Sequence, residues 1–134
     1  MRILITLILL TISPSLFGSD DLSKKKIACY KELDDSIFLL GFYFSDSKKA
    51  YVYAESNLLP MKQRWMTYET SVSRINFYTN NGLDLQFIVD RKTLKVTDRN
   101  LKSVYLENNC EVISTSIRSF FEEKLLKYKK QNKI

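Results

Sequence analysis

Histidine is absent from this chain, and only two cysteines, Cys29 and Cys110, occur in its 134 residues. The missing imidazole removes the commonest general base, and with it the usual Ser-His and Cys-His nucleophile pairs. Metal binding is not expected either, because the two cysteines lack the close spacing of a ligand pair. A phosphate-cradling glycine loop is missing: beyond Gly18 there are only Gly41 and Gly82, so no cofactor is expected. Carboxylates remain. Asp34 with Asp35, Asp46 with Glu55, or Glu69 with Asp90 offer acid pairs of the kind that flank a glycosidic bond. A short chain with 15 acids makes many such pairs by chance, and solvated turn and edge positions are the plainer reading. A small carboxylate-dependent hydrolase therefore ranks last among the functions considered, and no catalytic residue is assigned.

Binding chemistry is better represented. Tyr43, Tyr51, Tyr53, Trp65, Tyr68 and Tyr78 could line a sugar or peptide groove, although aromatics also pair across strands. Arg74, Asn76 and Tyr78, with Gln86, fall on the polar side of an alternating segment and form the candidate binding face. Lys124, Lys127, Lys129, Lys130 and Lys133 are the candidate contacts to a membrane or anionic partner, beside Phe120, Phe121, Leu125 and Leu126. The plainer reading is that the apolar stripe covers a sheet and the lysines are solvated.

The elements that must hold these groups centre on Ser71 to Thr97. Ile75 and Phe77 alternate with Arg74, Asn76 and Tyr78; Leu83, Leu85, Phe87 and Val89 alternate with Asp84, Gln86, Ile88 and Asp90. Period-two alternation predicts strands with one apolar face. A three-residue loop, Asn80-Asn81-Gly82, keeps the faces matched by setting Phe77 opposite Leu85 and Ile75 opposite Phe87, with Gly82 left-handed. A turn at Asp90–Thr93 would set Val89 opposite Leu94 and Phe87 opposite Val96. The apolar face of this meander needs a cover.

Upstream, SIFLLGFYF (Ser36 to Phe44) reads as a strand buried on both faces or bent at Gly41, paired with Ala50 to Glu55. Ser56 to Gln63 reads as a loop whose Leu58, Leu59 and Met61 tuck under the sheet or form an exposed lip; packing is the commoner case. Arg64 to Thr70 and Leu101 to Leu106 complete the strands. Then the period changes. Ile113, Ile117, Phe120, Phe121, Leu125 and Tyr128 recur at steps of three and four, predicting a helix over about 116–130 with Ser114, Thr115 or Ser116 as cap. That stripe is the expected cover for the meander.

The amino terminus has one charge, Arg2, an apolar run from Ile3 to Ile12 and small residues up to Gly18. This is the pattern of a secretory signal peptide, cut after Gly18. Residues 19–134 then form one exported domain, periplasmic or extracellular, with a β region over about 27–112. Export makes a Cys29–Cys110 disulfide the expected use of the thiols, against two buried free thiols. Setting aside Arg2 and the lysines from Lys124 onward leaves equal numbers of acidic and basic side chains, so the excess charge belongs to the carboxy-terminal segment. A nucleic-acid partner, which would need a basic face on the body, is not expected. The fold class is α+β, mainly β: an antiparallel meander in a small sandwich or partial barrel with one carboxy-terminal amphipathic helix. The expected function is a non-catalytic binding or interaction protein with an unknown protein or envelope component as partner. The alternative is membrane-surface association through the basic helix.

Overall fold

A computed structural model describes residues 22–46, 48–79, 82–99, 105–106 and 109–131. The signal segment, the Asn80-Asn81 loop tip, residues 101–104 and Lys133 lie outside the described residues. Among the described residues nine strands form one antiparallel sheet: β1 (Lys26–Glu32), β2 (Ile37–Phe44), β3 (Lys49–Ser56), β4 (Lys62–Thr70), β5 (Arg74–Thr79), β6 (Asp84–Asp90), β7 (Val96–Asp98), β8 (Tyr105–Leu106) and β9 (Asn109–Ile113). A helix, α1 (Ile117–Gln131), follows. The spatial order is β8-β7-β6-β5-β4-β3-β2-β1-β9, a meander in which only β9 returns to pair with β1.

That order forces the sheet to curl. Flat, nine strands at their usual spacing would hold β8 and β9 roughly 38 Å apart. Yet Asn109 follows Leu106 by three residues, a reach of at most about 11 Å. The two edges therefore meet, and the sheet is a half-barrel. The inner face is laid down in lateral rows. Cys110, Cys29, Leu40, Ala54 and Lys62 lie side by side across five strands; the next row runs Val112, Ile27, Phe42, Val52, Arg64. The expected disulfide is present between the directly opposed Cys29 and Cys110, with Cys29 fully buried.

Folding the far half of the sheet over these rows buries the core. Phe77 stacks on Phe42 with ring centroids 4.4 Å apart, and Phe87 meets Phe42 edge-on at 5.7 Å. Ile75, Val89 and Val96 join them. The meander's apolar face is thus covered by β1, β2 and β3, not by the helix.

Helix α1 instead packs on the outer face of β1, β2 and β3. Its Ile117, Phe120, Phe121 and Tyr128 bury against Ala28, Ile37 and Leu39. Gly41 permits this approach: a Cβ there would sit 2.5 Å from Ile117 Cγ2. Ser116 caps the helix, its Oγ accepting from the Ser119 N–H at 3.0 Å.

Two registers differ from expectation by an even number of residues, which preserves the faces. Phe77 pairs with Phe87 and Ile75 with Val89, because a bulge between Phe77 and Tyr78 leaves Gln86 as an extra residue on β6. Gly82 is left-handed as expected, at φ 90°. Val89 pairs with Val96 because the second turn is longer than four residues. The Asp90 carboxylate accepts from the Lys92 and Thr93 N–H groups, and Leu94 takes φ 59°. The strand Lys26–Glu32 and its partner β9 had no clear alternation and are additions to the sequence reading.

Candidate functional site

The polar face expected from alternation is only partly assembled. Arg74, Asn76 and Tyr78 share the outer side of β5, exposed, half-buried and half-buried respectively. Asn76 Oδ1 is buried with no hydrogen-bond partner. Gln86 leaves this group: the bulge turns its side chain inward, where Nε2 donates to Asp98 Oδ1 at 2.9 Å. Nothing in the alternation of LDLQFIVD marks the bulge.

The fold keeps Asp46 and Glu55 apart, and it sets Glu69 and Asp90 on the strands either side of β5. Asp46 and Glu55 lie beyond opposite ends of the central part of β3, on the order of 20 Å apart. Asp46 and Asp90 both serve as turn caps. Backbone N–H groups of Lys48 and Lys49 hold the Asp46 carboxyl below its ordinary range, and those of Thr93 and Lys92 do the same for Asp90. Among the described residues no group of three or more His, Cys, Asp and Glu is placed to hold a metal ion.

The aromatic residues form two sets. Tyr68 belongs to the core, meeting Phe44 edge-on at 4.9 Å. Tyr43, Tyr51 and Trp65 make one lateral row on the outer face. Tyr43 and Tyr51 are parallel to within 6° with centroids 6.4 Å apart, so the row is a set of cross-strand aromatic pairs. Beside them, Tyr53 and Tyr43 border a cleft of about 440 Å³ with Lys24, Lys26 and Arg118. Burial, then the neighbouring Tyr51 and Tyr43, push the Tyr53 phenol above its ordinary range, with Arg118 opposing. On α1, Lys124 lies 4.6 Å from the Tyr30 ring centroid, and Lys127, Lys129 and Lys130 are exposed. The apolar stripe of that helix is on the sheet, so the described lysines stand on a solvated face. Among the described residues no helix is long and apolar enough to cross a membrane.

A largely apolar concavity lies at the mouth of the half-barrel, where β2 begins, β3 ends and β4 starts. A cleft of about 410 Å³ is walled by Phe38, Leu39, Leu40, Ala54, Leu59, Pro60 and Phe87, with Glu55, Ser56, Lys62 and Asp98 at its borders. A second cleft of about 410 Å³ shares Leu40, Ala54, Lys62 and Phe87 and continues along Val52, Arg64 and Met66. The volumes fall within the range of small-molecule sites. It is open where β4 outruns its partner: among the described residues β5 pairs only with Thr67–Thr70, and Lys62 to Trp65 are exposed.

The lip of the mouth is the loop from Asn57 to Met61. Its leucines contradict the packing expectation: Leu58 is 77% and Leu59 59% exposed, while Met61 alone tucks in, against the helix layer. The loop is nonetheless held in place. Ser56 Oγ accepts from the Leu58 and Leu59 N–H groups at 3.2 and 3.0 Å, and Asn57 Oδ1 accepts from the Ile37 N–H at 2.9 Å. A pinned loop that presents two leucines to water, next to the 40%-exposed Phe38, is an apolar surface without a structural cause in the fold. Sequence reading raised a lip but named no cleft, because Phe87 and Leu40 come together only through the curl. Comparison with protein families, with curated proteins and with solved structures finds no match for this chain.

Proposed function

We propose that this is an exported, non-catalytic binding protein that takes an apolar ligand in the mouth of its half-barrel. The observation that carries this reading is the apolar cleft with its hydrogen-bonded, exposed leucine lip. Binding there removes Leu59, Phe38 and the ligand from water together, each buried methylene contributing about 0.8 kcal/mol. The cross-strand disulfide accords with an oxidising compartment, and the amino-terminal segment supplies a route to it. Protein recovered from an envelope or culture fraction should begin near Ser19 on amino-terminal sequencing.

Titration of the mature chain with the neutral fluorophore N-phenyl-1-naphthylamine tests the site. Saturable binding with one site per chain is expected. Leu58→Ser with Leu59→Ser should weaken it at least fivefold without lowering the unfolding midpoint, since both side chains are exposed. Absence of saturable binding, or identical binding by the variant, would sink the reading.

A further inference from the structure

Resting on that reading, we infer that the ligand is a single-chain anionic amphiphile, a long-chain fatty acid, lying with its tail in the outer cleft and its carboxylate at Lys62 and Arg64. The two clefts differ in charge. The outer one has walls of Phe38, Leu40, Leu59 and Phe87. The inner one is bordered by Lys62 and Arg64 and by no carboxylate. These two cations alternate with Gln63 on β4, so they share its inner face at a separation of roughly 7 Å. Both are exposed, and neither makes a hydrogen bond or ion pair with another described residue. The acids of the outer cleft are otherwise placed: Asp98 is 9% exposed and takes the Gln86 amide, and Glu55 lies on the side of β3 that carries Tyr51 and Tyr53.

Two cations without a partner among the described residues, beside an apolar trough, complement a carboxylate on an alkyl chain. An arginine and a lysine can both donate to one carboxylate, and charge-assisted bonds are the stronger class. A neutral hydrocarbon would fill the trough and leave the cations as they are. A cationic amphiphile would be repelled by them. A diacyl lipid brings a second chain, for which the inner cleft offers polar borders at Gln63 and Gln86.

The test uses the mature, oxidised chain loaded with N-phenyl-1-naphthylamine, displaced by palmitate, by methyl palmitate or by hexanoate below micellar concentrations. Palmitate should displace the dye at a concentration at least tenfold lower than its methyl ester. Hexanoate should be far weaker, because two methylenes fewer already cost roughly tenfold. Lys62→Ala with Arg64→Ala should abolish the preference for acid over ester, read as the ratio of the two displacement concentrations within the variant. Lys62→Glu with Arg64→Glu should reverse the selectivity in favour of hexadecylamine. Dye binding with equal displacement by acid and ester overturns the fatty-acid assignment and leaves the apolar-ligand reading standing. Preference for the acid that survives in both double variants overturns the placement of the carboxylate. Failure of the dye to bind at all overturns both readings.

Discussion

Gly41→Ala separates the helix-docked structure from any in which α1 stands off the sheet. Taken alone, the change should stabilise: alanine restricts the unfolded chain and suits a strand better, worth about 0.4–1 kcal/mol. In this structure the new methyl lands 2.5 Å from Ile117 Cγ2, 3.2 Å from Cδ1 and 3.3 Å from Cγ1. Carbon atoms prefer about 3.5–4.0 Å, so the nearest overlap is about 1 Å. Both residues are buried, and Ile117 is β-branched with little rotamer freedom in a helix. Overpacking of this kind costs about 1–3 kcal/mol, which outweighs the entropy gain and leaves a net loss of about 1–2 kcal/mol. Ile117→Ala by itself should lose about 2–5 kcal/mol through the emptied volume. Adding Gly41→Ala to it should lose nothing further, because the clashing atoms are gone. Urea unfolding of the oxidised protein, with the four variants as a cycle, should therefore show a favourable coupling of about 1–3 kcal/mol. If Gly41→Ala stabilises, and does so equally with Ile117 or Ala at position 117, the helix does not lie over Gly41.

Three further outcomes are expected. Replacing Cys29 and Cys110 together by alanine, or reducing the bridge, opens a loop of 81 residues and should lower stability by about 4.5 kcal/mol on the chain-entropy account, read as a large drop in urea midpoint. Asp46 and Asp90 are depressed acids, so their contribution is complete above the ordinary value of 3.8 and is lost as pH falls through their lower folded values. Thermal midpoints from pH 5 down to pH 2 should fall in that window, and more shallowly in Asp90→Asn, whose amide oxygen still accepts the Lys92 and Thr93 N–H groups without titrating; an identical slope in the variant would exclude Asp90 as a source. The first turn of α1 carries no acid and does carry Arg118, beside Lys24 and Lys26. Arg118→Glu should raise stability by about 0.5 kcal/mol at low ionic strength, with the gain fading in 1 M salt as the dipole and the lysines are screened.

The legible parts of this sequence are those where one face is wet. β5 and β6 alternate because their outer sides meet water, and α1 shows its stripe because the opposite side is solvated. β1 was illegible for the converse reason. Ile27 and Cys29 face the core while Ala28 packs under the helix, so apolar residues run through its centre and no alternation survives. The apolar run of β2 carried a hint that it is buried on both faces. A strand of that kind has two covers, and the structure supplies them: the curled sheet inside and α1 outside. Assigning the helix to the meander left β2 with only one. The turn of Gln86 inward was beyond periodicity altogether, since one inserted residue exchanges the faces of everything on one side of it.

The mouth and the disulfide are two consequences of the same curl. Residues 105–113 supply both edges of the sheet, and Cys110 bonds to Cys29 in the row that continues through Leu40 and Ala54 to Lys62. At one end of this row the disulfide ties the edge strand β9 to its neighbour β1. At the Lys62 end β4 has outrun β5, and Lys62 to Arg64 have no β5 partner among the described residues. The stretch of β4 that β5 leaves unpaired lies on the β3–β4 side, which is where the leucine lip, the apolar trough and the two cations are found. A barrel closed on both sides would fill its interior with side chains; here Ala54 stands where a larger residue would fill the trough, and the row ends in a charge instead of a hydrophobe. Small residue, exposed lip and two cations unpaired among the described residues therefore stand along one continuous border, which is the arrangement that the proposed amphiphile site requires.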